Sequence, residues 1–255
     1  MLVIWTIARM SFVEARRNRI LWSILFFCVL TIGSSFMFQT MSVGSYDRVL
    51  RDVGFGALSI FATFLTIFLG AAVVSREVDR RTLHAVICKP VSRNQYVMGK
   101  VLGVWLTQAA CVSLMFGALL LECLAYHGDV TTVMFQAFWL LFVEQLVVAS
   151  FAVLGSAFLP TSTCVFLTVS MYFVGHMSSN VLVLVRKSGD GLSRRVAEWL
   201  FWLLPDLERF NLRSAVSHLD IVSGRTVISA TAIGVAYAVA FTLVASAILQ
   251  RRDLR

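Results

Sequence analysis

Residues 54–100 read "GFGALSIFATFLTIFLGAAVVSREVDRRTLHAVICKPVSRNQYVMGK". The first part, 54–74, contains no Asp, Glu, Lys or Arg; the rest, 75–100, holds six Lys or Arg, two acids and Pro90. A second apolar run then starts at Val101. A helical crossing of a bilayer needs roughly 20 mostly apolar residues. The stretch therefore reads as one span, a charged aqueous loop and the entry to another span.

The same pattern extends outward. Of 255 residues, 58% are hydrophobic and only 14% charged, with a mean hydropathy of +0.82. A soluble domain carries nearer a quarter charged residues, so the chain falls in the membrane class. Six windows are long and apolar enough to cross: 20–37, 54–74, 101–125, 133–157, 163–185 and 226–249. Two of them hold a single carboxylate, Glu122 and Glu144, and the other four hold no charge. Pro90, Pro160 and Pro205 fall between windows, where a missing N–H does least harm. Continuous apolar runs, rather than ten-residue alternation, exclude a transmembrane β-barrel. The first window follows nineteen residues of helix-like sequence and has no A-x-A site, so it reads as a retained span rather than a signal peptide. The expected fold is all-α: one polytopic membrane domain over 1–255 with six transmembrane helices. The five cysteines, Cys28, Cys88, Cys111, Cys123 and Cys164, form no C-x-x-C pair and read as small apolar packing residues.

Six spans put both termini on one side. If that side is the cytoplasm, thirteen Lys or Arg lie inside and nine outside, and the loop "HGDVTT" (127–132) has neither. Both termini are expected to be cytoplasmic. The net charge of +8 sits at span ends. Anionic lipid headgroups and topology explain it more simply than nucleic acid does. In 1–19, Trp5, Ala8, Phe12 and Ala15 recur at helical spacing. This is an interfacial helix with Trp5 and Phe12 at headgroup depth, or an extension of the first span; periodicity alone does not separate them.

Within 75–100, Ser75 reads as an N-cap, with Glu77 and Asp79 in the first turn. Glu77 can meet Arg80 or Arg81 one turn on. Leu83, Val86 and Ile87 form a short apolar stripe, and Lys89 and Pro90 close the helix. Ser92-Arg93-Asn94-Gln95 then has the form of a capping box that starts the next helix. Such a segment suits docking in a partner's groove, or is a helical positive-inside loop.

Together these residues resemble the stretch after the second span in ABC-type-2 transporter permeases. The likeness rests on Glu77, Thr82, Leu83, Lys89, Pro90, Val91, Ser92, Arg93, Tyr96, Gly99, Lys100 and Gly103. In that family the segment is the coupling helix, which contacts a separate ATPase subunit. "IARMSFVEARRNRILW" (7–22) is similar to the family's interfacial elbow helix. "LLPDLERFNLRSAVSH" (203–218) resembles a loop in a branch associated with multicopper-enzyme maturation. The resemblance implies a permease subunit in a prokaryotic inner membrane, paired with a second permease subunit, identical or related, above an ATPase dimer. ATP and Mg would sit on the ATPase, with no cofactor in this chain. The ATPase-coupling residues would be Glu77, Arg80, Arg81, Leu83, Val86, Ile87, Lys89, Pro90 and Arg93.

The residues themselves agree that ATP is handled elsewhere. Gly99-Lys100 is the only Gly-Lys pair, and a phosphate loop around it would need Gly at 94 and Ser or Thr at 101; the chain has Asn94 and Val101. No Ser-His-Asp, Cys-His or H-E-x-x-H pattern marks an enzyme.

Intramembrane carboxylates are costly unless paired or facing water. Glu122 lies near its window's end, whereas Glu144, beside Gln145, lies near mid-window. Glu144 could line a path, bind a cation, or make an interhelical hydrogen bond; packing is the commoner role. Met171, His176 and Met177 are soft ligands of the kind that suit Cu(I), but they share a helix face poorly. In 186–225, Val196, Trp199, Leu200 and Leu203 form a stripe with Trp202 nearby, suiting an interfacial helix. That loop reads as a partly inserted hairpin or a contact for an extracytoplasmic partner. Gly99 and Gly103 would allow a close helix contact. The alternatives to a permease subunit are a secondary transporter or channel using Glu144, and a non-transporting membrane anchor of an assembly complex.

Overall fold

The computed structural model of the protein describes residues 2–17, 26–27, 29–31, 33, 46–79, 93–125, 130–187, 205–218 and 221–251. Among the described residues there is no strand. The elements are α1 (Leu2–Arg17), α2 (Tyr46–Asp79), α3 (Arg93–Ala125), α4 (Thr132–Ser156), α5 (Thr161–Lys187), a 3-10 turn (Leu207–Phe210), α6 (Arg213–His218) and α7 (Gly224–Arg251). Four of these, α2, α3, α4 and α7, are long and apolar enough to cross a membrane. Most of the first apolar window, 20–37, lies outside the described residues. Its described part is helical, and Phe26 and Phe27 both pack edge-on against Phe61 of α2 at 5.7 Å.

α4 sits at the centre of the bundle because its sequence is apolar all round. A helix without a polar stripe has no face to give to water. It packs against α2, α3, α5, α6, α7 and the 3-10 turn. Leu140, Val147, Val148, Ala149, Ala152 and Val153 are fully enclosed. Antiparallel neighbours are pinned at both ends. At one end the Arg213 guanidinium of α6 grips Asp52 of α2 with two bonds of 2.8 and 2.9 Å. At the other, Ser246 of α7 donates to Asn94 of α3 at 2.7 Å.

Two expectations need correction. The second span does not stop before a new helix capped by Ser75: α2 runs unbroken from Tyr46 to Asp79. No Gly or Pro interrupts 73–79, so the backbone hydrogen-bond ladder continues through the charged residues. The connection between α4 and α5 is 157–160, so α5 starts two residues before the apolar window that opens at 163. The Pro160 carbonyl accepts from the Cys164 amide at 3.0 Å, so the proline stands at the helix start. In α1 the buried line is Ala8 and Ser11 against α3, while Phe12 is half-buried and Trp5 is 60% exposed. Gly103 decides this: a Cβ there would stand 2.6 Å from the Ser11 Cβ and 3.0 Å from the Ala8 carbonyl oxygen. The glycine expected to permit a close contact does so, with α1.

Residues 205–212 form a wedge that enters the bundle between α4, α5 and α7. Leu207 and Phe210 are buried in the cluster that includes Leu140, Val143, Val147, Met171 and Ala230. Two glycines open the slot. A Cβ on Gly175 would lie 2.7 Å from Leu207 Cγ and 3.1 Å from the Pro205 carbonyl oxygen. One on Gly234 would collide with Val143 and stand 3.0 Å from the Phe210 ring. Gly175 is twelve residues from the end of α5, so the wedge reaches about 18 Å into the bundle. Irregular backbone at that depth is tolerated when protein surrounds it. The stripe of Val196, Trp199, Leu200 and Leu203 on which the sequence readings of this loop rest lies outside the described residues.

Relative to an aqueous loop, burying Leu207 and Phe210 contributes about 1.5–3 kcal/mol each. Gly175→Val should unseat the wedge and lower stability in SDS titration by about 1–3 kcal/mol. Gly117→Ala, where an added Cβ meets nothing within 4 Å, should cost nothing. Equal stability of the two variants would contradict this packing.

Candidate functional site

The interior of the bundle holds a continuous set of polar side chains built on α4. Glu144 stands twelve residues into α4, about 18 Å from its start, and is only 3% exposed. Its Oε1 lies 3.1 Å from His176 Nε2 of α5. The other ring nitrogen, Nδ1, lies 3.2 Å from Glu208 Oε2 at the tip of the wedge. The Tyr172 ring stands edge-on to the imidazole at 4.5 Å, one turn before it. Tyr172 also faces the polar side chains of Ser59 and Thr63 on α2.

Gln145, fully buried on the adjoining face of α4, ties to α2 directly. Its Nε2 donates to Thr63 Oγ1 at 3.1 Å. Thr66 Oγ1 lies 2.8 Å from Gln145 Oε1 and 2.7 Å from the Ala62 carbonyl, and its single proton serves one of them at a time. Gln108 of α3 donates from Nε2 to the same Ala62 carbonyl at 3.3 Å, while its Oε1 has no partner among the described residues. These bonds join α2, α3, α4, α5 and the wedge through side chains that hydrocarbon could not solvate.

Glu208 is about half exposed, and the surface beside it is polar: Arg209 pairs with Asp206 at 2.9 Å, and Asn211 donates to Glu208 at 3.2 Å. A carboxylate cannot lie against hydrocarbon at that depth without a large cost. That side of the wedge is a polar surface, with His176, 21% exposed, standing between it and the buried Glu144.

Residues 5–254 match the model of the ABC-2 family transporter proteins. The chain belongs to this family. A relative described as a probable ABC transporter permease protein NosY, from Pseudomonas aeruginosa, is 28% identical over 226 residues, covering 81% of this chain and 80% of its own. As an ABC-2 protein the chain is an integral membrane protein, and the four long apolar helices among the described residues are its candidate membrane spans.

Of the predicted residues, Glu144 and Gln145 are brought together with partners, and Glu122 is buried elsewhere, in α3. Glu77 falls in the last turn of α2 and Arg93 opens α3. Arg80, Arg81, Leu83, Val86, Ile87, Lys89 and Pro90 lie outside the described residues, as do Trp199 and Trp202. Met171 is buried and Met177 exposed, so His176 shares a site with two carboxylates rather than with sulfur. Sequence reasoning missed Glu208, Tyr172, Thr63, Thr66 and Gln108. Glu208 could have been found, because "LLPDLERF" is too apolar for an ordinary aqueous loop.

The packing account of Gln145 is open to measurement. A double-mutant cycle of Gln145→Leu and Thr66→Val should give a coupling of about 0.5–1.5 kcal/mol in SDS titration. Strict additivity would show that the bond contributes nothing.

Proposed function

We propose that the chain is the permease subunit of an ABC transporter whose ATP is hydrolysed by a separate ATPase subunit. The observation that carries this reading is the family match along 5–254. The likeness to a probable ABC transporter permease agrees with it. The absence of a phosphate loop around Gly99-Lys100 supports the division of labour. In this reading each subunit has six spans, two subunits pair, and both termini face the cytoplasm of a prokaryotic inner membrane. ATP and Mg bind on the ATPase dimer.

The coupling segment is 75–100. Because α2 continues as helix to Asp79 and α3 begins at Arg93, a push on the residues between them is delivered to two helices at once. α2 and α3 both pack against α4, so the force passes to the buried core. Its outlet is export of a substrate, or a movement handed to a partner outside the membrane at 186–225. Glu144 is engaged by His176, which speaks for a packing role over an open ion path and against a secondary transporter or channel.

Glu77→Lys, or Val86→Pro, should abolish co-purification with the ATPase while membrane insertion stays normal. A variant that inserts and still retains the ATPase would refute the coupling role. Loss of insertion in Val86→Pro leaves Glu77→Lys as the deciding case, since a lysine is well tolerated at a helix C-terminus.

A further inference from the structure

The arrangement around His176 fixes a proton count. Nε2 faces Glu144 at 3.1 Å and Nδ1 faces Glu208 at 3.2 Å. Each contact is a hydrogen bond only if it contains a proton. A neutral imidazole has one N–H, so with both carboxylates ionised it can satisfy only one contact. The other would set a ring lone pair against carboxylate lone pairs. Two protons must therefore be shared among the three groups: imidazolium between two carboxylates, or imidazole with one carboxylic acid. Both forms carry a net charge of −1.

We infer that Glu144, His176 and Glu208 form a proton-binding site that latches the wedge to α4 and α5, and that loss of one proton opens its Glu208 contact. Burial decides which contact opens. The Glu144 side chain is 3% exposed, too enclosed for water to replace a lost bond, whereas that of Glu208 is 44% exposed and can be hydrated. The remaining N–H stays on Nε2, facing Glu144. The departing proton passes from Nδ1 to the Glu208 carboxylate and from there to water, and no other bond changes. Gain of a proton breaks nothing, because a protonated carboxyl still accepts through its carbonyl oxygen. The latch thus holds at low pH and loosens as pH rises.

The neighbouring groups leave this exchange to the three residues. Among the described residues the electrostatic partners of His176 are Glu144 and Glu208. On the wedge, Asp206 and Arg209 are paired with each other. Asp52 of α2 is held by Arg213 of α6. Tyr172 faces the imidazole from α5, and Tyr237 of α7 packs in the apolar cluster around the wedge. The mechanical consequence follows from position. Leu207 and Phe210 keep the wedge seated by apolar contact, while the latch decides how tightly its polar side follows α5 and α4.

The test is amide hydrogen exchange of peptides covering 205–212 in the full-length chain in lipid nanodiscs, corrected for intrinsic exchange, over roughly pH 5 to 9 where histidine and perturbed carboxyls titrate. Wild type should lose roughly tenfold or more protection in a single-proton step as pH rises. In Glu208→Gln the side-chain amide can donate to a bare Nδ1 or accept from Nδ1–H, so the wedge should stay protected with no step. Glu208→Ala should be loose at every pH. A flat wild-type profile, a wild-type-sized step in Glu208→Gln, or full low-pH protection in Glu208→Ala would each overturn the inference.

Discussion

A carboxylate in the middle of a membrane helix must find partners inside the protein, and the rest of this bundle is arranged to supply them. Glu144 sits at mid-span on α4, 3% exposed. No residue on α4 itself answers it; the answer comes from His176 on α5, which is answered in turn by Glu208 on the wedge. Lipid offers no comparable hydrogen bond, so separating these elements within the membrane would leave charged groups unpaired. Apolar packing alone gives little preference between helix–helix and helix–lipid contact. Polar pairs therefore choose the neighbours, and apolar side chains fill around that choice.

The wedge shows how the two effects combine. Gly175 and Gly234 remove side-chain volume where Leu207, Pro205 and Phe210 must lie. Glu208 then reaches His176, and Asp52 holds Arg213 just beyond the wedge, with Ser217 donating to the same carboxylate at 3.0 Å. One short segment around a 3-10 turn is thus fastened at its tip by the interior network and at its base by an ion pair to α2.

The spans were legible because their signal is one-dimensional. A run of apolar residues long enough to cross is visible without knowing its neighbours, and the helices over 93–125, 132–156, 161–187 and 224–251 agree with the windows to within a few residues except at the start of α3. That start was itself legible from the capping pattern at 92–95. The end of α2 was not, because Ser75 and the acids after it look like a helix start as readily as a helix middle. Glu144 was marked by its cost in hydrocarbon, but its partners were not, being 32 residues away in the case of His176.

The sequence by itself determined that this is a helical membrane protein, where four long apolar helices of the described residues fall, that no phosphate loop lies around its only Gly-Lys pair, and which acid in its apolar windows most needed explanation. These follow from composition and local spacing, which act along the chain. Only the tertiary structure decided that His176 belongs with carboxylates rather than methionines, that 205–212 turns into the bundle, and that Gly103 serves α1. Each depends on which helix faces which, a choice made by hydrogen bonds and close backbone approaches between residues far apart in the chain.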